Sequence, residues 1–241
     1  MSRGAKIPDD IFIHDPDSAE DAYESHHHII FIPGNPGLIA YYVPFLHLLH
    51  SHFARTTHGA SASPAHVSIY GRSLAGFELQ SNPVAQPSSD ALLDLDAQVA
   101  HTEATLLAHL ARLPSLPPGR TRKLTVVSHS VGAFIALELL RRRRLASLST
   151  VELAGAVLLF PTVVDIALSP HGRKLGLLLR LPNALAAAVG TALAFAGRAL
   201  TTALPSRWVV ALLVRVLGMT EDAATVTAAF LGSHRGVAQA L

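Results

Sequence analysis

Over the first 160 residues, short β-branched runs alternate with stretches of helical periodicity. His28-Ile29-Ile30-Phe31-Ile32 is short, continuous and apolar, as a fully buried strand is, and Pro33-Gly34-Asn35-Pro36-Gly37 stops it with a dense turn signal. Further strands are predicted at His66–Tyr70, Leu124–Val127 and Gly155–Phe160, the last stopped by Pro161. Ile11-Phe12-Ile13-His14 reads as a hairpin strand at a sheet edge. Between them, apolar residues recur at helical spacing from about Tyr41 to Phe53, from Ala91 to Leu113 (Leu92, Leu95, Val99, Leu106, Leu107, Leu110), and from Ala133 to Leu140. Strand and helix in alternation predict an α/β fold, a mostly parallel sheet flanked by helices on both faces.

The pattern changes after about Lys174. From Leu175 to Leu217 the chain is mostly Leu, Ala, Val and Gly, punctuated by Pro182 and Pro205, and three helices are predicted, at about 175–181, 183–203 and 206–217. No charge falls between 181 and 197. A spanning helix needs about 20 apolar residues. This stretch is Ala-rich, has Pro182 and Asn183 near its start and is bounded by Arg180 and Arg198, so it is read as a buried or interfacial helix. The chain is expected to be one domain: a sheet-and-helix core over 1–174, an apolar helical insertion over 175–220, and the start of a return to the core over 221–241.

Composition narrows the chemistry. Half of the 241 residues are hydrophobic and only 15% are charged, which predicts an apolar surface somewhere. There is no cysteine, which removes disulfide scaffolds, zinc ribbons and thiol catalysis. The amino terminus lacks the apolar core of a signal peptide, so an intracellular setting is the expectation. A net charge of +2 gives no argument for nucleic acid. The run Arg141 to Arg144 is expected at a helix carboxyl terminus, where cations complement the dipole; contact with anionic lipid is the other reading. His26-His27-His28 suggests a metal, but alternation along a strand lets at most two of the three share an ion, and a solvated strand entry is expected instead.

The candidate chemistry lies at Ser128-His129-Ser130-Val131-Gly132, between the run Leu124–Val127 and the apolar helix that follows. Strand, tight small-residue turn and helix is the context of a nucleophile elbow, which exposes its serine above a helix amino terminus. The first position is usually glycine; Ser128 is small but a departure. Ser130 is the candidate nucleophile, and the N–H of Val131 the first oxyanion donor. The second donor is expected from the loop after the first buried strand, with Asn35 the best placed. His129 is expected to point away from Ser130 and to pack locally.

At these residues the chain resembles a known family. Phe31-Ile32-Pro33-Gly34-Asn35-Pro36-Gly37 with Tyr41-Tyr42-Val43-Pro44-Phe45 is similar to the lipid droplet-associated hydrolases, whose serine motif usually reads Gly-His-Ser-Ile-Gly. The likeness continues at Leu159-Phe160-Pro161-Thr162, at Ser169-Pro170-His171-Gly172 and at Ala228–Gly232, covering about 28–232. It implies the α/β-hydrolase fold with an apolar helical lid. It also implies a serine hydrolase acting on carboxylic esters of neutral lipids or sterols, at a lipid droplet, endoplasmic reticulum surface or in the cytoplasm, without cofactor or metal. In that family the triad Asp and His follow the lid, in a Tyr-Gly-x-x-Asp-x-Trp loop and a later one. Neither has a counterpart before Leu241, so a C-terminally truncated chain, with Gly155–Phe160 as an exposed edge, is the expectation. Within the chain, Asp165 is a candidate acid or an ordinary loop carboxylate, and His171 and His234 are candidate bases or polar loop residues. Two alternatives stay open: a non-catalytic lipid-surface protein using 175–217, and another activity on the same fold, such as a thioesterase.

Overall fold

In the computed structural model, which describes residues 7–14, 23, 25–57, 65–80, 92–143, 145, 151–164, 183–233, 237 and 239–240, the β-branched runs form one five-stranded sheet. Its strands are β1 (Asp10–Ile13), β2 (Ser25–Ile32), β3 (Ala65–Arg72), β4 (Arg122–His129) and β5 (Val151–Leu159), in the order β1-β3-β2-β4-β5. β2 pairs in parallel with β3 and β4, and β4 with β5; β1 runs antiparallel to β3. The edge strand expected near residue 11 is therefore present, but its partner is β3 rather than its neighbour in sequence. Each parallel connection carries a helix: α1 (Val43–Thr57), entered through a 3-10 turn at Ile39–Tyr42; α2 (Leu95–Leu110); and α3 (Val131–Arg142). The sheet and these helices form one compact unit, residues 8–75 with 93–161.

Alternation divides the sheet into two faces. Ile29, Phe31, Val67, Ile69 and Val127 pack with Leu46 and Leu49 of α1. His28, Ser68 and Tyr70 lie on the opposite face, where His109 of α2 stacks on Tyr70 with ring centroids 3.6 Å apart. This corrects the reading of His26–His28 as a solvated entry: they lie inside β2, and His26 and His28 are buried. The reason is tertiary. The His28 ring is covered by His109 of α2, 5.1 Å away, and the His26 ring lies 5.8 Å from that of His66 in β3. His28 Nδ1 lies 2.8 Å from Ser68 Oγ and its Nε2 3.1 Å from His109 Nε2.

Burial, reinforced by the nearby His109, Arg122 and His66, pushes the His28 pKa down to about 3. Burial and Arg112 push that of His109 down to about 4. An unfolded histidine titrates near 6.5, so below that pH the unfolded chain binds protons the native core refuses. The stability from His28 is whole above pH 6.5 and is lost as the pH falls toward 3, at about 1.4 kcal/mol per unit. Urea unfolding should show about 2 kcal/mol lost through His28 between about pH 6.5 and 5. His28→Met should flatten the dependence by that amount; an unchanged slope would rule the site out as its source.

Helix boundaries follow the caps. α2 begins only at Leu95 because the Asp94 carboxylate accepts the Ala97 N–H at 2.8 Å; Leu92 precedes the helix, and both leucines are exposed. Arg141 and Arg142 close α3, each bonded to Glu138, and Arg142 also reaches Glu103 at 3.5 Å. Arg141, Arg142 and the C-cap residue Arg143 thus occupy the helix carboxyl terminus expected for the run.

The second unit comprises residues 1–7, 76–92 and 162–241. Its described helices are α4 (Asn183–Ala203), α5 (Ser206–Leu217) and α6 (Glu221–Gly232). The first two match the predicted spans; the one predicted at 175–181 lies outside the described residues. α6 was legible from Thr220, whose hydroxyl caps Ala223 N–H ahead of Glu221 and Asp222. Val209 and Leu213 of α5 pack against Ala224 and Ala228 of α6. Among the described residues no helix is long and apolar enough to cross a membrane.

Candidate active site

The register brings two chain turns together. Ile32 ends β2 opposite Ser128 of β4, and Ser128 lies opposite Leu158 of β5. The loop after β2 and the turn after β4 therefore leave the same sheet edge side by side. At the second turn Ser130 has φ 51° and ψ −123°, a backbone conformation that costs a non-glycine residue on the order of 1–3 kcal/mol. It is held by main-chain bonds on both sides: Ser130 N–H donates to the Leu159 carbonyl at 3.0 Å, and Ala133 N–H to the Ser130 carbonyl at 2.9 Å. Ser130 is half-buried and Val131 opens α3 beside it. The small residues of the motif are explained by close approach. A Cβ on Gly132 would lie 2.5 Å from the carbonyl oxygens of both Ile32 and Pro33.

Ser128 shows the cost of the unusual first position. It is fully buried, and its hydroxyl finds no hydrogen-bond partner among the described residues. An unsatisfied buried hydroxyl costs about 1–3 kcal/mol. Ser128→Ala should therefore stabilise the protein by about 1 kcal/mol and raise the melting temperature by roughly 2–4 °C. A lower melting temperature in calorimetry would show that the hydroxyl has a partner after all.

The loop after β2 rests directly on the elbow. A Cβ on Gly34 would come within 2.7 Å of Ser130 Cβ and 2.8 Å of His129 Nδ1. Gly34 N–H donates to Tyr42 Oη at 3.2 Å, and Tyr42 Oη lies 3.0 Å from His129 Nδ1. Further along, Ile39 N–H donates to Ser73 Oγ at 3.1 Å, and Leu74 N–H to the Gly37 carbonyl at 2.7 Å. Asn35 stands exposed at the tip. Burial raises the Tyr42 pKa above its ordinary value, so its phenol is protonated at neutral pH.

The structure thus brings together Ser130, Val131 and the Gly34–Asn35 loop. Asp165, His171 and His234 lie outside the described residues. Among the described residues no group of three or more His, Asp or Glu side chains is arranged to hold a metal ion. Sequence reasoning did not find Tyr42, His129 and Ser73 as supports of the loop. The signal for Tyr42 was present, a tyrosine just beyond the turn and on a 3-10 segment that doubles the chain back. An apolar groove of about 460 Å³ lies beside α1, lined by Phe45, Leu49, Phe53, Val127, Val157 and Leu159 among others.

The profile of the lipid-droplet associated hydrolases matches residues 25–241. The chain belongs to that family. The resemblance read from the residues around Gly34 and Tyr42 is borne out, and the mostly parallel sheet flanked by helices is the α/β architecture expected with it. Among its relatives, the lipid droplet-associated hydrolase of Pongo abelii is 31% identical over 145 residues, 60% of this chain and 40% of that protein. The Rattus norvegicus protein of the same name is 32% identical over 157 residues, 61% of this chain and 41% of that one. The chain therefore spans about 40% of the length of the curated relatives it matches. A solved fungal esterase from Rhizomucor miehei covers 70% of this chain and 49% of its own, at 13% identity and a TM-score of 0.38, a likeness too distant to bear on activity.

Proposed function

We propose that the protein is a serine hydrolase of carboxylic esters, acting on a neutral-lipid or sterol ester at a lipid droplet or endoplasmic reticulum surface. The observation that carries this is the strained Ser130 backbone with the Gly34–Asn35 loop against it. Ser130 Oγ attacks the acyl carbon. The tetrahedral oxyanion accepts from the Val131 N–H and from one N–H of the loop. Asn35, at the exposed tip of that loop beside Gly34, is the candidate for this second donor. A base takes the serine proton and returns it to the departing alcohol, and water then frees the acid. Asp165 as acid and His171 or His234 as base are the candidates this chain itself offers.

The apolar helices supply the lid and the lipid-facing surface. Trp208, Leu212 and Val216 follow one another at four-residue spacing along α5 and are exposed, while Val209 and Leu213 are buried. Arg207 and Arg215 lie in the same helix, and no Asp or Glu occurs from 166 to 220. An apolar stripe with only cationic neighbours suits a phospholipid monolayer. The same stripe favours the second reading, a non-catalytic lipid-surface protein.

Labelling by a fluorophosphonate separates the two. The hydrolase reading expects wild-type protein to label and Ser130→Ala not to; no labelling above that control leaves the non-catalytic reading. Flotation with phospholipid-coated triolein droplets tests the surface: Trp208→Glu with Leu212→Glu should lose droplet binding, and unchanged binding would rule the stripe out.

A further inference from the structure

We infer that Tyr42 and His129 are positioning residues that together hold the oxyanion loop at its working distance from the nucleophile. The inference rests on the serine-hydrolase reading and goes beyond it, since neither side chain has a part in the acyl-transfer steps themselves. The Tyr42 hydroxyl joins the two elements. Gly34 N–H donates to Tyr42 Oη at 3.2 Å, and the same hydroxyl is hydrogen-bonded to His129 Nδ1, 3.0 Å away. With the imidazole proton on Nε2 the phenol donates to Nδ1, and with it on Nδ1 the ring donates to the phenol oxygen; either way the bond links the same two atoms. The chain of bonds runs from the loop, through a residue of the 3-10 turn, to the residue immediately before Ser130.

The rings are fixed by their neighbours. Tyr42 packs at a tilt on Phe31 of β2, with centroids 4.6 Å apart. His129 meets Phe160 edge-on at 6.1 Å. The loop main chain is therefore clamped from two sides: Gly34 rests on Ser130 Cβ with no room for a methyl group, and its N–H is turned toward Tyr42. Committing the Gly34 N–H to the phenol sets the plane of the peptide before it, and so the start from which Asn35 presents its own N–H. The Ser130 backbone and the oxyanion loop cannot then drift apart independently. Catalytic groups displaced by about 1 Å lose roughly 100-fold in rate, so an ordering bond next to the donor acts on the rate without touching substrate.

The test uses full-length protein with Tyr42→Phe, His129→Leu and His129→Asn, the last keeping an acceptor near the Nδ1 position. The second-order rate constant for fluorophosphonate labelling of Ser130 should fall roughly 10- to 100-fold in Tyr42→Phe and His129→Leu. His129→Asn should keep most of the wild-type rate. Melting temperatures should stay near wild type, which a merely structural role for the pair would not give. The second readout does not depend on activity: exchange of the Gly34 amide should accelerate about fivefold or more in Tyr42→Phe, with Ile30 in the sheet unchanged. Wild-type labelling rates in Tyr42→Phe would overturn the inference, and so would an unchanged Gly34 amide. If wild-type protein itself does not label, the hydrolase reading fails on its own, and Gly34 exchange still decides whether the clamp exists.

Discussion

Replacing Ser130 by alanine is expected to lower lipid-ester turnover by about 10⁴- to 10⁶-fold, the loss typical of removing an activated serine. The elbow leaves no substitute at hand. Ser128, the other hydroxyl of the motif, is buried two positions back along β4, and the His129 Nδ1 is engaged by Tyr42. Ser130→Gly should abolish turnover equally and also stabilise the fold. Its φ of 51° is one that glycine adopts without penalty, so releasing the strain should return about 1 kcal/mol. The pair of variants separates chemistry from strain: both lose activity, and only the glycine gains stability. Turnover of emulsified and soluble esters, with urea unfolding alongside, gives both readouts. Ser130→Ala turning over within about tenfold of wild type would show that another group performs the attack.

Gly132→Ala carries the largest structural effect. The added methyl would meet two carbonyl oxygens at 2.5 Å and the Ile32 carbonyl carbon at 3.1 Å. None of these atoms is the end of a flexible side chain; all are main-chain atoms, at the last residue of β2, a strand paired on both sides, and the first residue of the loop after it. Relief must come from pushing α3 off the sheet or the loop off the elbow. Overpacking of this kind costs up to about 3 kcal/mol, or roughly 6–12 °C in melting temperature for a chain of this length. Because the displaced atoms include Pro33, next to Gly34, labelling of Ser130 should fall as well. A Gly132→Ala protein that melts and labels like wild type would show that the loop and helix separate freely.

Most of the sheet was readable because its signals are local. Ile29–Ile32 is a continuous apolar run and Leu124–Val127 a β-branched one, each followed by a turn, and such runs become central strands of parallel sheets. The elbow was readable for the same reason, since strand, turn and helix are contiguous there. What escaped depends on partners far away in sequence. The three histidines of β2 look polar along the chain, yet side chains of β3 and α2 cover two of them. β5 by contrast was legible as an exposed edge: in the described sheet it pairs with β4 alone, and Phe160 just beyond it is 84% exposed. Tyr42 reads as one more apolar residue at the start of a helix; its role follows only from the meeting of the β2 loop with residue 129. α6 is the reverse case, a helix whose cap at Thr220 was in plain view beside a more conspicuous apolar stretch.

The neutral His28–His109 pair ties the protein to the pH of its surroundings. Both rings must stay uncharged for β2 and α2 to remain packed, so the fold is at full strength near neutrality and weakens where protons are abundant. In an acidified compartment at about pH 5 the protein would meet conditions where its unfolded form gains on the native one. There it would be an early substrate for proteolysis, and any ester hydrolysis it performs would end with the neutral surroundings it started in.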